Sequence, residues 1–383
     1  MSNTYCVLAD VGLSVHNGGH TSMCNGSRQI FHSHSGDAIT LDKYSLSDAW
    51  NSPTRQEIKT ALESGVRHAN CTDCWSSESA GLPSMRQIHN KNLANVIPIK
   101  EQPRAVVLKP GNVCNLACRH CDPAVSSGWY DDYYSAEVKD KSYPDWVQQF
   151  KIVRDSYAVD NQAVWGVLES WLPNLVYYDL YGAEPLLLKP VLNLLTTAAE
   201  KKYAANQCIH INTNGTIWRD EFIDIFKQFK SVDLDISVDG INEQFDYMRY
   251  PAHWSNVLEN ILKYKALSVA HSNIKVGITI TVSIYNILYI NDIINYFQDL
   301  GISAGINVLH TPEFLNIKNL PKEVKSEISN YKLLPLSVIS YMNLDNYDLI
   351  KDFFDYTNRY DQTRNQQFQK TFPKIYNLLK SYE

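Results

Sequence analysis

The 383-residue chain has no apolar run approaching the roughly 20 residues that a membrane-spanning helix needs. Its opening segment, MSNTYCVLADVGLSVHNGGH, lacks the cationic stretch and apolar run of a secretory signal. It has no basic tract: charged residues make up 20% and the formal net charge is −6, so electrostatics gives no footing for nucleic acid. No internal repeat or low-complexity tract stands out. These absences leave a cytoplasmic globular protein as the expectation, with neither a membrane nor a nucleic-acid partner. A hydrophobic content of 44% is enough for one large core and a smaller module.

Eight cysteines are present, at positions 6, 24, 71, 74, 114, 118, 121 and 208. With no export signal, metal or cluster ligation explains them better than disulfides. Four lie within the first 74 residues, three fall within eight residues of one another, and one stands alone. Tyrosine is abundant, at 24, beside 8 tryptophans, which fits aromatic packing or an aromatic-lined cleft.

Residues 1–100 read as polar loops and a helix from about Ser45, which can cap it, to Ser64, with Gly65 as its stop. From residue 104 strands and helices alternate. AVVLKP (105–110), LVYYDLYG (175–182), CIHINTNG (208–215), VDLDISVDG (232–240), IKVGITITVS (274–283) and SAGINVLH (303–310) are the six expected strands, with helices between them. Residues 126–160, rich in Tyr, Trp and Asp, read as an inserted helical or loop segment. Alternating β and α elements imply an α/β fold with a parallel sheet. Right-handed crossovers would curl six repeats into a partial (β/α)6 TIM-type barrel, two short of a closed eight-fold one. The expected organisation is a cysteine-rich iron–sulfur module over 1–100, the partial barrel over 101–310 and a helical extension over 311–383.

The loop after the first strand carries Cys114-Asn-Leu-Ala-Cys118-Arg-His-Cys121. Thiolates are the usual ligands of iron–sulfur clusters, and four saturate a [4Fe–4S] cube. Three leave one iron open to a substrate, by the logic that separates catalytic from structural zinc sites. A zinc loop or chance spacing is the plain alternative. The CxxxCxxC spacing, with His120 before the last cysteine, resembles the signature of the radical S-adenosylmethionine (SAM) superfamily. The resemblance implies that SAM chelates the open iron and is cleaved by one electron to methionine and a 5′-deoxyadenosyl radical. It also implies an electron donor such as flavodoxin or ferredoxin.

Later segments match in order. Gly182-Ala183-Glu184-Pro185 resembles the family's GGEP motif, with Ala for the second Gly, and implies that Gly182 and Glu184 bind the SAM amino group. Asn212-Thr213-Asn214-Gly215 and Ser237-Val238-Asp239-Gly240 are similar to segments that contact the SAM ribose and carboxylate, which points to Asn214 and Ser237. Ordinary turn chemistry also accounts for these two. Arg249 looks like the family's carboxylate-binding arginine, or else forms a salt bridge, and Leu309 is placed at the adenine.

Cys6, Cys24, Cys71 and Cys74 form a complete four-ligand set, Cys-x17-Cys-x46-Cys-x2-Cys. It would close either a second [4Fe–4S] cluster or a tetrahedral zinc site. The segment resembles an auxiliary-cluster module of the SPASM or Twitch type, here preceding the barrel, in Leu46, Trp50, Arg55, Gly65, Cys71, Cys74, Ser84 and Arg86. The resemblance favours the cluster, as an electron relay or structural support. Cys208 begins the third strand, roughly 20 Å from Asn214 at its end, and reads as a small packed hydrophobe.

Trp129 to Tyr134 would line a substrate entrance or cover the barrel flank, and His310 sits near the mouth. No residue is assigned as a general base. The leading expectation is a radical SAM oxidoreductase or maturase acting on a peptide, by family analogy. No leader-binding winged helix is recognisable ahead of the barrel. A small-molecule radical enzyme acting on a sugar or amino-acid derivative is the second reading, and a non-catalytic zinc-binding protein the third.

Overall fold

A computed structural model describes residues 2–138, 142, 161–330, 334–344 and 348–383, apart from positions 17, 28, 80 and 110. The segment 143–160, within the expected insertion 126–160, lies outside the described residues. The chain divides into two compact units. One comprises Met1–Val113, Gln149–Asn212 and Arg219–Asp233; the other comprises Cys114–Gln148, Thr213–Trp218 and Leu234–Glu383.

In the first unit the strands run in the order β2 (Thr21–Ser22), β1 (Gly12–Val15), β3 (Ala105–Leu108), β4 (Tyr177–Leu180) and β5 (Cys208–Thr213). β1, β3, β4 and β5 are parallel, with Gly12 opposite Ala105, Ala105 opposite Tyr177 and Tyr177 opposite Cys208. β1, β3 and β4 are buried along their whole length, as expected of parallel strands covered on both faces. β5 alternates, with Ile209, Ile211 and Thr213 turned inward.

In the second unit the order is β6 (Ser231–Ser237, which begins in the first unit), β7 (Ile274–Val282) and β8 (Ser303–Val308). β7 and β8 are parallel from Gly277 opposite Ser303 to Val282 opposite Val308. The Val238 N–H donates to Thr279 O at 2.9 Å. Helices Glu243–Met248, Trp254–Ala270 and Ile290–Asp299 alternate with these strands, and Ile350–Arg364 is the main helix of the carboxyl-terminal part.

All six expected strands are present, so the fold is α/β with a parallel-strand sheet. Residues 1–100 depart from the expectation. They are not simply irregular: β1 joins the parallel sheet and β2 pairs with it antiparallel. Gly-Leu-Ser-Val is a run of only four residues, too short for periodicity to betray it. The expected helix 45–64 is two helices, Leu46–Trp50 and Pro53–Glu63. Pro53 has no N–H to continue the first helix and is accepted at the start of the second. Among the described residues no helix is long and apolar enough to cross a membrane.

Candidate functional site

Strand ends and the loops that follow them assemble the site in the second unit. The loop Cys114–Cys121 is held by its backbone. The Ala117 N–H donates to Tyr250 O at 2.6 Å, and the Arg119 N–H to Met248 O at 2.8 Å. The Cys121 N–H donates to Cys118 O at 2.9 Å, the Trp129 Nε1–H to the same carbonyl at 3.0 Å, and the Tyr356 hydroxyl to Arg119 O at 2.7 Å. Gly128 is required where the chain returns, because a Cβ there would stand 2.5 Å from Leu116 O. These bonds tie the loop at several points along its length, which fixes the direction of the thiols.

The polar groups around those thiols come from β5, β6 and the helix Glu243–Met248. The Asn214 Nδ2 group lies 3.8 Å from Cys114 Sγ and donates to Asn115 Oδ1 at 2.9 Å. Arg249 Nη1 lies 3.9 Å from Cys118 Sγ, while its Nη2 forms an ion pair with Asp239 Oδ2 at 2.7 Å. Asp239 is fully buried. Its Oδ1 accepts the Thr281 N–H at 2.8 Å, and His120 Nδ1 stands 3.5 Å from its Oδ2.

The thiols feel this surrounding. Cys118 is held below the ordinary thiol range, first because it accepts a hydrogen bond from Cys121 and then because Arg249 is near. Cys121, the donor, is pushed well up. Burial lowers His120 to about 4, against the pull of Asp239, so the ring is neutral at physiological pH.

Sequence reasoning placed Cys114, Cys118, Cys121, His120, Asn214 and Arg249 in one site, and the second unit brings these six together. Ser237 ends β6 and Leu309 follows β8, with the Leu309 N–H donating to Val282 O at 3.0 Å. His310 follows too, its Nδ1 lying 3.2 Å from the Tyr341 hydroxyl.

Two groups were missed as site residues. Asp239 sits within the Ser237–Gly240 motif, but its burial against Arg249 is a tertiary fact. Arg119, inside the cysteine motif itself, is completely buried. It donates to Asp361 at 2.5 Å and Gln366 at 2.7 Å, and its guanidinium lies 4.2 Å from the Tyr247 ring centre. Nothing local in the sequence joins position 119 to position 361.

Gly182 and Glu184 belong to the first unit. Gly182 has φ +76, and a Cβ there would meet Lys109 Cγ at 2.9 Å. Ala183 adopts φ +54, so the Ala replacing the motif's second Gly keeps a left-handed backbone at the cost of some strain. Glu184 is fully buried; its N–H donates to Val113 O at 3.0 Å and its carboxylate caps the turn Pro185–Leu187 at the Leu186 N–H.

The first unit also gathers the four amino-terminal cysteines. Cys6 opens the helix Val7–Val11. On one side Asn90 accepts the Val7 N–H and donates to Tyr5 O, both at 2.7–2.8 Å. Arg86 donates to the same carbonyl at 2.8 Å and grips Glu78 through Nε and Nη2. On the other side Arg55, stacked 3.5 Å from the Trp50 ring centre, donates to Ala9 O and Asp10 O. The Cys24 loop is tied through Ser27 to Asn70, the neighbour of Cys71. Ser84 caps the helix Met85–Asn92 and donates to Glu78.

The thiols of this set stand within electrostatic reach of one another, and burial with mutual repulsion pushes them up, Cys71 to about 12. Among the described residues no group of three or more His, Cys, Asp or Glu side chains already converges on a metal position. Cys208 is half-buried at the start of β5.

The site is therefore a trio of thiols, Cys118 buried and Cys114 and Cys121 half-buried, beside an arginine–aspartate pair at the loops that follow parallel strands of an α/β unit. Residues 108–297, just under half of the chain, match the sequence model of the radical SAM superfamily. Two curated relatives are similar over about half of this chain. The Serine-type anaerobic sulfatase-maturating enzyme of Bacteroides thetaiotaomicron is 24% identical over 52% of this chain and 44% of its own length. The sporulation killing factor maturation protein SkfB of Bacillus subtilis is 26% identical over 52% of this chain and 40% of its own. The chain thus spans less than half the length of either relative. The solved structure of native anSMEcpe with bound AdoMet is similar at a TM-score of 0.40 and 16% identity, covering 60% of this chain and 62% of that one.

Proposed function

We propose that the chain is a radical SAM oxidoreductase or maturase that cleaves SAM reductively and abstracts hydrogen from a peptide. The observation that carries this is the Cys114–Cys118–Cys121 loop, with Asn214 at Cys114 and Arg249 at Cys118, within the segment that matches the superfamily. The donor set suits a [4Fe–4S] cluster with one open iron: three soft thiols from one loop, with no fourth protein thiol in the set. When bound, the cluster supplies the electron that breaks the SAM sulfonium bond and releases a 5′-deoxyadenosyl radical.

The chain's own residues bind and orient. Arg249 places positive charge beside Cys118, and its Nε has no hydrogen-bond partner among the described residues, which suits it to a carboxylate. Asp239 fixes the guanidinium plane. Asn214 positions its amide at Cys114. Gly182, Glu184, Ser237, His120 and Leu309 are assigned to SAM by resemblance: the first two to its amino group, Ser237 to ribose and carboxylate, and Leu309 to adenine. Trp129 and the Tyr250 carbonyl brace the loop through its backbone.

The further parts of the proposal are a partial (β/α)6 barrel over 101–310, an auxiliary module over 1–100 and a helical extension over 311–383. Cys6, Cys24, Cys71 and Cys74 are assigned to a second [4Fe–4S] cluster. Burial and then neighbouring thiols raise the proton affinity of Cys6 and Cys71, and ligation by a cation would remove that repulsion. The two relatives named as maturation enzymes support a peptide substrate. The proposed setting is the cytoplasm, with a flavodoxin or ferredoxin as electron donor.

Anaerobic reconstitution tests the reading. It should yield about eight iron per chain from two four-iron clusters, and 5′-deoxyadenosine on reduction with SAM. Zinc uptake with no SAM cleavage would end the enzyme proposal.

A further inference from the structure

Beside Cys121 the second unit contains a cavity of about 690 Å³. One wall is aromatic. Trp129 and Tyr360 meet edge to face at 4.8 Å, Tyr360 and Tyr356 lie 4.8 Å apart, and Phe314 lies 4.9 Å from Tyr356. This wall is fixed from behind, because Tyr356 donates to Arg119 O and the Arg364 guanidinium sits 4.4 Å from the Trp129 ring centre. The cavity is therefore built into the same framework that holds the cysteine loop.

The remaining lining carries a strong charge imbalance. Among the described residues five carboxylates face the space: Asp122, Glu137, Glu313, Asp352 and Asp355. Arg359 is the one cation among the described lining residues, and it is already paired with Glu137. One oxygen of Asp122 caps the Ala124 N–H at 2.8 Å. Asp352 and Asp355 stand three residues apart on one face of the helix Ile350–Arg364, where like charges repel. The helix dipole accounts for Asp352, in the first turn, but gives no such service to Asp355.

We infer that this cavity selects the substrate: it takes a cationic side chain, a lysine or arginine of a peptide, between the aromatic wall and the carboxylates. The inference rests on the proposed function and names the substrate class of that site. An ammonium or guanidinium group gains from both halves of the lining at once. Aromatic faces attract cations, and the carboxylates supply the countercharge that Arg359 does not. A glutamate or aspartate side chain would meet the excess of carboxylates among the described lining residues. Because Cys121 is part of the lining, a residue held in the cavity lies next to the loop proposed to bind SAM.

The probes are the fluorescein-labelled peptides Gly-Gly-Lys-Phe-Gly-Gly and Gly-Gly-Glu-Phe-Gly-Gly, with binding to the reconstituted holoenzyme plus SAM read by fluorescence anisotropy. The lysine peptide should bind about tenfold or more tightly than the glutamate peptide, with the gap shrinking as salt rises. Asp352→Asn with Asp355→Asn should narrow the gap severalfold, and Glu313→Gln, on a separate turn, should narrow it independently. Equal affinities, a preference for glutamate, or no measurable binding of the lysine peptide would overturn the assignment. 5′-Deoxyadenosine formed by the wild-type holoenzyme without any peptide reports on the radical SAM reading separately.

Discussion

The two cysteine sets solve the same chemical problem in opposite ways. In the second unit three cysteines come from eight consecutive residues, and the fold supplies a cation: Arg249 stands 3.9 Å from Cys118 Sγ and lowers its proton affinity. In the first unit four cysteines come from positions spread over 69 residues, between Cys6 and Cys74. The fold spends its arginines on backbone and carboxylate instead, Arg55 on Ala9 and Asp10, Arg86 on Tyr5 and Glu78. Those thiols are pushed up first by burial and then, for Cys6 and Cys71, by neighbouring thiols, with Arg86 drawing Cys71 and Cys74 only partway back. A short loop with its own cation is a site that can leave a metal position open. A dispersed set, in which burial outweighs the pull of Arg86, would be relieved of its charge repulsion by a bound metal.

The largest expected effect breaks the comparison at its centre. Cys118→Ala should abolish 5′-deoxyadenosine formation and reduce reconstituted iron to about four per chain, the content of one remaining cluster. Cys71→Ala should lose similar iron yet retain part of the SAM cleavage while product is lost. Equal and complete loss in both variants would dissolve the distinction between a radical-generating loop and an auxiliary set. Chromatographic assay of 5′-deoxyadenosine beside iron analysis reads both.

Next in size is the buried pair behind the loop. Arg249→Met leaves Asp239 charged, buried and facing a neutral His120, a loss of about 3–5 kcal/mol for a broken buried pair. Urea unfolding of the apoprotein measures it. Arg249→Lys keeps the charge but not the planar fork and should cost less. The Cys118 thiol should also rise in Arg249→Met, because a favourable charge beside it is gone. A variant as stable as the parent would show that the cation beside the loop is incidental.

These features divide cleanly into what local sequence could reveal and what it could not. The cysteine loop, the glycine and asparagine turns and the six strands follow from spacing and alternation, which are local properties. β1 escaped because four residues carry no period, and Pro53 broke a helix that the apolar pattern alone joined. Arg119 and Asp361 are 242 residues apart, so their bond is invisible until the helix Ile350–Arg364 packs on the loop. The acidic and aromatic cavity was half legible: Trp129 and Tyr133 stood out as candidate lining, whereas its opposite wall comes from a segment with no motif.

A pH titration sharpens the contrast further. Cys71 is pushed from the ordinary 9 up to about 12, and Cys6, Cys24 and Cys74 are raised as well. The folded apoprotein then holds these protons more tightly than the unfolded chain. The resulting stability is fully present below about pH 9 and is lost as pH climbs toward 12, by at most about 1.4 kcal/mol per pH unit for each thiol. Metal loading replaces the protons, so the reconstituted protein should not show this alkaline loss. Thermal melts of both forms across pH 8 to 11 decide it, within the ordinary thiol range. Identical profiles would mean that the four thiols are not a ligand set.

The smallest effect concerns the frame around that set. Arg86 spans Glu78, four residues past Cys74, and Tyr5 O, the residue before Cys6. Arg86→Lys retains one charge but cannot hold the carboxylate with two nitrogens and the carbonyl with a third. The pair is only partly exposed, so the loss should be about 1 kcal/mol in the apoprotein, above the usual surface ion pair and below the Arg249 pair. Once metal ties Cys6 to Cys74 directly, the arginine bridge becomes redundant and the loss should shrink. Should Arg86→Lys instead cost as much as Arg249→Met, the first unit would depend on its arginine as the second does, and the two cysteine sets would no longer differ in how the fold treats their charge.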